Sequence, residues 1–142
     1  MRVVVIMLMV LIWPNASHAQ GALVCKDKIC VAVEVVSSLE DMKRGLQGRE
    51  GLKPNHGMLF NFDYEDYQRF WMKDMKFSID IIWIDSQKKI VTIAPSKAAC
   101  TQDPCEVYSS TLKAKYVLEV PAGFTKKHKF RQGDQLVFQG IN

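Results

Sequence analysis

Two carboxylates stand out because their neighbours are apolar. Asp80 interrupts the run Ile79-Asp80-Ile81-Ile82-Trp83-Ile84, and Glu119 interrupts Tyr116-Val117-Leu118-Glu119-Val120. A carboxylate in such a row is costly unless it is paired or hydrogen-bonded. Two readings follow for Asp80. It is either a structural group bonded to backbone amides or to a basic partner such as Arg44 or Lys73, or a carboxylate with a shifted pKa in a pocket. Period-two alternation puts Asp80 on one strand face with Ile82 and Ile84, and Ile79, Ile81 and Trp83 on the other. Glu119 shares a face with Val117 and Pro121. If the two carboxyls converge, they form a pair of the kind used in acid–base and glycosidic chemistry.

A second group is Arg44, Trp71 and Lys73. Trp71 and Lys73 alternate with Arg69 on one strand face. An aromatic ring beside cations binds an anionic or sugar-like ligand through stacking and charge. The same pattern also arises where cations cover the edge of a core ring. Other chemistries lack their residues. His56 and His128 both fall in polar stretches, and there is no Gly-x-Ser-x-Gly elbow, no His-Glu-x-x-His and no glycine-rich phosphate loop. No cofactor and no metal are therefore expected. The favoured reading is a non-catalytic binding or accessory module for a small ligand, a glycan or an envelope protein. The alternative is a hydrolase using Asp80 and Glu119.

The address of the chain decides how its cysteines are read. Arg2 is followed by an uncharged apolar run from Val3 to Trp13, then Pro14-Asn15 and the small-x-small exit Ser17-His18-Ala19. This is the pattern of a secretory signal peptide, with cleavage expected after Ala19. The run is too short to span a bilayer, which takes ~20 apolar residues. Residues 20–142 then form one domain, periplasmic or secreted, with no membrane span after cleavage. The formal net charge of the whole chain is +4, too small to imply nucleic acid. A monomer is expected.

Cys25, Cys30, Cys100 and Cys105 all follow the signal segment. In an oxidising compartment they imply two disulfides. Four cysteines allow three pairings, and the spacing favours the local ones, Cys25–Cys30 and Cys100–Cys105. A four-thiolate metal site is the rival reading, although C-x4-C is longer than the usual C-x2-C knuckle.

The elements that must position these groups are mostly strands. Ile29 to Val36 is a β-branched strand. Ser38 with Asp41 three residues on caps a short amphipathic helix, in which Leu39, Met42 and Leu46 recur at helical spacing. Further strands are expected over 57–62, 67–73, 78–85, 89–94, 116–120 and 135–139, with an acidic turn at 63–66. Both faces of 78–85 are apolar, so that strand is expected at the centre of the sheet. Residues 95–115 show little periodicity and read as a long loop tied by Cys100 and Cys105. Residues 124–130 read as a turn or short helix. The sum is α+β and mainly antiparallel: a compact barrel-like or sandwich sheet with one or two short helices.

Six segments appear in an order that resembles a known family. They are Arg44-Gly45-Leu46, Gly57-Met58-Leu59-Phe60, Phe70-Trp71-Met72-Lys73, Ile79 to Asp85, Val117-Leu118-Glu119 with Ala122-Gly123, and Gly133-Asp134. The chain from about Val31 to Phe138 resembles the small bacterial and archaeal domains called domain of unknown function 192. Asp74-Met75 stands where that family usually has Asn-Thr, and Ser78-Ile79-Asp80 where it has Pro-Leu-Asp. The resemblance implies a compact β-rich fold and frequent export. It implies no established activity.

Overall fold

The computed structural model describes residues 21–141. The expected signal peptide lies outside the described residues. Nine strands and two short helices follow in the order β1 (Leu23–Lys26), β2 (Ile29–Val36), α1 (Leu39–Arg44), β3 (His56–Asp66), β4 (Arg69–Trp71), β5 (Ile79–Ile84), β6 (Ile90–Lys97), β7 (Val107–Ser109), β8 (Ala114–Pro121), α2 (Phe124–Lys127) and β9 (Val137–Gln139).

Seven strands form one mixed sheet in the order β6-β5-β8-β3-β2-β1-β9, and β4 pairs with β7 in a separate two-stranded sheet. All pairings are antiparallel except β2 with β3. A parallel pair needs a crossover of a dozen or more residues. Residues 37–55, which include α1, supply it. At one end the edges of the sheet approach each other, where Lys89 bridges to Gln135. They do not pair along β6 and β9, so the sheet is open and sandwich-like, not a closed barrel.

Each face of the sheet carries its own core. Met58, Phe60, Ile79, Ile81, Trp83 and Val117 cluster on one side with Leu46, Met72 and Met75. Leu59, Ile82, Ile84, Leu118 and Val120 cluster on the other with Phe124, Phe130 and Leu136. With both faces covered, all six residues of β5 are buried. The strand is interior as expected, but β3 holds the middle of the sheet.

Several segments differ from the sequence expectation. The acidic stretch 63–66 does not turn; it continues β3 past an irregularity between Asn61 and Asp66. The strand expected over 67–73 is only Arg69–Trp71, because its partner β7 is itself three residues long. The loop expected over 95–115 contains the end of β6, all of β7 and the start of β8.

Both local cysteine pairs are disulfides. Cys25–Cys30 joins directly opposed residues of the β1–β2 hairpin, with Cα atoms 4.1 Å apart. Cys100–Cys105 closes the loop between β6 and β7, with Cα atoms 5.8 Å apart. Among the described residues no cysteine is free, no His/Cys/Asp/Glu cluster has metal-site geometry, and no helix is long and apolar enough to cross a membrane.

Candidate functional site

Asp80 and Glu119 sit on neighbouring strands, but the ladder sends them apart. Asp80 lies opposite Val120, and Glu119 lies opposite Ile81. Residues directly opposite share a face, and successive residues alternate. Asp80 therefore faces the core of Ile82 and Val120, whereas Glu119 faces that of Ile81 and Val117. The sheet stands between the two carboxyls, so they do not form the acid–base pair of the alternative reading.

Asp80 is fully occupied where it lies. Its Oδ1 accepts from the backbone N–H of Ser96 at 2.8 Å and of Gly123 at 2.9 Å. Its Oδ2 accepts from the backbone N–H of Thr125 at 2.8 Å and from Thr125 Oγ1 at 2.6 Å. The carboxylate thus ties the end of β6 to the turn that opens α2. This is the structural reading of Asp80, with backbone amides and a hydroxyl as partners; neither Arg44 nor Lys73 takes part.

Glu119 has the opposite environment. Its residue is 5 % exposed, and its Oε2 is buried with no hydrogen-bond partner. Burial pushes its pKa up from 4.5 to about 8. The carboxyl is therefore neutral at pH 7, a hydrogen-bond donor as well as an acceptor. Gly57 explains how β3 fits beside it. A methyl group on Gly57 would lie 2.4 Å from the Glu119 carbonyl oxygen, so only glycine allows β3 to pass so close.

Glu119 lines a cleft of about 640 Å³, within the range of small-molecule sites. Three segments wall it. The helix wall is Leu39, Met42, Arg44 and Leu46, the strand wall is Arg69, Phe70, Trp71 and Lys73, and Phe60 and Phe62 of β3 lie at its base. Gly45 ends α1 at φ 47° and ψ −131°, a conformation reserved to glycine, with the Phe60 ring 3.4 Å from where a methyl would sit. Just past this exit the Gly48 N–H donates to Asp74 O at 3.2 Å, which ties the end of the helix to the strand wall. Phe70 is the hub of the strand wall. Its ring meets Phe60 at 4.8 Å, Phe62 at 6.4 Å and Trp83 at 6.2 Å between centroids, each edge-on.

The cations hold set positions at the mouth. Arg44 pairs with Asp41 on its own helix. Lys73 Nζ lies 3.0 Å from Asp103 in the disulfide-closed loop and 5.7 Å from the Trp71 ring centroid. The same loop is tied to the wall by the Cys100 N–H, which donates to Met72 O at 2.9 Å. The side chain of Trp71 is half exposed. All three candidate binding residues, Arg44, Trp71 and Lys73, thus line one cleft together with Glu119. Sequence reasoning missed Phe62, Phe70 and Met75 as cleft residues, since apolar residues at such spacing signal only core.

The comparisons with known proteins agree with this fold. Residues 22–138 match the family DUF192, described as an uncharacterized ACR. The chain belongs to the DUF192 family. It is similar to the UPF0127 protein PYRAB11210 of Pyrococcus abyssi, 32 % identical over 89 residues, which span 58 % of this chain and 68 % of that protein. Among solved structures, a candidate transcription regulator (R01717) from Sinorhizobium meliloti 1021 superposes with a TM-score of 0.74 at 28 % identity, covering 84 % of this chain and 93 % of that one. A protein of unknown function from Novosphingobium aromaticivorans DSM 12444 gives 0.72 at 22 % identity, covering 82 % of each. Within this DUF192 chain, Asp74 occupies the place of the usual asparagine at φ 58°. The left-handed region favours Asn and Asp among non-glycine residues, so the exchange preserves the turn.

Proposed function

We propose that this DUF192 domain is a non-catalytic binding module that works outside the cytoplasm and takes a small ligand in the cleft between α1 and β4. The observation that carries this reading is Glu119. Its Oε2 is buried without a hydrogen-bond partner, on the lining of a preformed, largely apolar cleft. Leaving a buried polar group unpaired costs about 1–3 kcal/mol. A ligand that supplies the missing partner recovers part of that cost. The hydrolase alternative loses its chemical basis, because Asp80 is on the far side of the sheet and already bonded. Export is supported by the signal-like residues 1–19, and two disulfides are compatible with it.

A thermal-shift screen of small organic acids, amines, amides and saccharides on the secreted protein tests the reading. Hits are then mapped by methyl and amide chemical shifts. The expected perturbations fall on Met42, Phe70 and Met75. Hits that perturb only residues remote from the cleft overturn the assignment.

A further inference from the structure

The charges around the cleft mouth are unequal. Lys43, Arg44, Arg69 and Lys73 line it, and Asp74 is the sole acid besides Glu119. The acids that hold Arg44 and Lys73, Asp41 and Asp103, do not line the cleft. They fix the two side chains without closing them: a guanidinium keeps further N–H donors free, and an ammonium has three. Arg44 comes from the helix wall and Lys73 from the strand wall, so a group between the walls meets a cation from either side. Beneath the mouth the lining turns apolar, with Phe60, Phe70 and Met75.

Resting on the binding reading above, we propose that the ligand is a free amphipathic anion. Its apolar body lies against the Phe60–Phe70 lining, its carboxylate or phosphate stays at the mouth between Arg44 and Lys73, and a polar group of the body meets Glu119. Charge order favours this placement. An anion at the mouth meets cations, whereas an ammonium there meets like charge. The neutral Glu119 carboxyl does not repel an anion above it, and its O–H donates to a carbonyl, ether or hydroxyl oxygen. The cleft is roomy enough for the body to enter, so the ligand is a molecule that leaves bulk water, not a bilayer surface that the domain merely touches.

The test uses three probes of one chain length, octanoate, 1-octanol and octylammonium, titrated into the secreted protein at pH 6.5 while methyl shifts of Met42 and Met75 are followed. Octanoate is expected to bind about tenfold tighter than 1-octanol, as befits hydrogen bonds to charged donors. Octylammonium is expected to bind weakest. Arg44→Ala and Lys73→Ala should each weaken octanoate about threefold and weaken 1-octanol less. Added salt should weaken octanoate alone. If 1-octanol equals octanoate, or octylammonium binds tightest, the anion assignment fails while the binding cleft stands. If none of the three moves Met42 or Met75, the amphipathic-anion assignment fails, and the cleft stands or falls on the wider screen above. Sedimentation with phosphatidylglycerol vesicles, without any octanoate binding, overturns the free ligand in favour of a lipid surface.

Discussion

Replacing the Glu119 carboxyl by an amide separates its charge from its shape. In the folded chain the group titrates at about 8 because burial disfavours the charged form; unfolded, it returns to its ordinary 4.5. Between these values the folded state holds a proton that the unfolded state has released. Stability from this group is thus intact below pH 4.5, falls as pH rises, and is lost by about pH 8. Glu119→Gln cannot ionise. Its urea stability should match the parent at pH 4 and exceed it at pH 8, the gap widening by at most ~1.4 kcal/mol per pH unit. Parallel profiles for the two proteins refute a neutral buried carboxyl. Asp80→Ala strands the buried N–H and hydroxyl of Thr125 and the part-buried N–H groups of Gly123 and Ser96, so a loss of about 3 kcal/mol is expected in urea unfolding at pH 7. A loss under 1 kcal/mol would show that the turn before α2 finds other acceptors.

The cleft depends on how α1 leaves the β2–β3 crossover. At Gly45 a side chain must adopt a glycine-only conformation, with its Cβ in van der Waals contact with the Phe60 ring. Gly45→Ala should cost about 1–3 kcal/mol and shift the Phe60 and Phe70 resonances together, since the two rings are in contact. Unchanged Phe70 shifts would mean that the helix exit and the strand wall are independent. These elements were unequally legible from sequence. β2 and the capped helix were readable because local pattern alone defines them: a β-branched run, and Ser38 accepting from the Asp41 N–H. β4 and β7 were not. Each is three residues long, and their pairing joins Phe70 to Tyr108 across the entire β5–β6 hairpin. The parallel pairing of β2 with β3 was likewise hidden, since a helix between two strands reads the same whichever way the second strand runs. At the site, the two carboxylates were found by their incongruity, and alternation placed each on the correct face of its own strand. Only the register between β5 and β8 could show that those faces are opposite.

The Cys100–Cys105 loop connects redox state to the cleft. Its Asp103 holds Lys73, and its Cys100 bonds the strand wall through Met72. The Cys25–Cys30 bridge lies on the far side of the sheet order, in the β1–β2 hairpin, and has no such link. Each closes a loop of similar length, so each should contribute about 2 kcal/mol by constraining the unfolded chain. The two should then differ in consequence, not in stability. Removing Cys25–Cys30 by a double Cys→Ser exchange should lower the melting temperature and leave the Met42, Phe70 and Met75 resonances in place. Removing Cys100–Cys105 should lower it by a similar amount and also broaden or move those resonances, because the loop that pins Lys73 is released. Equal spectra in the two variants would show that the strand wall stands without its strap. The same proteins bear on export. Secreted from a bacterial host, the parent should begin at Gln20 and show four cysteines without free thiol by mass. Retention of residues 1–19, or free thiols in the secreted protein, would remove the compartment on which the binding role outside the cytoplasm depends.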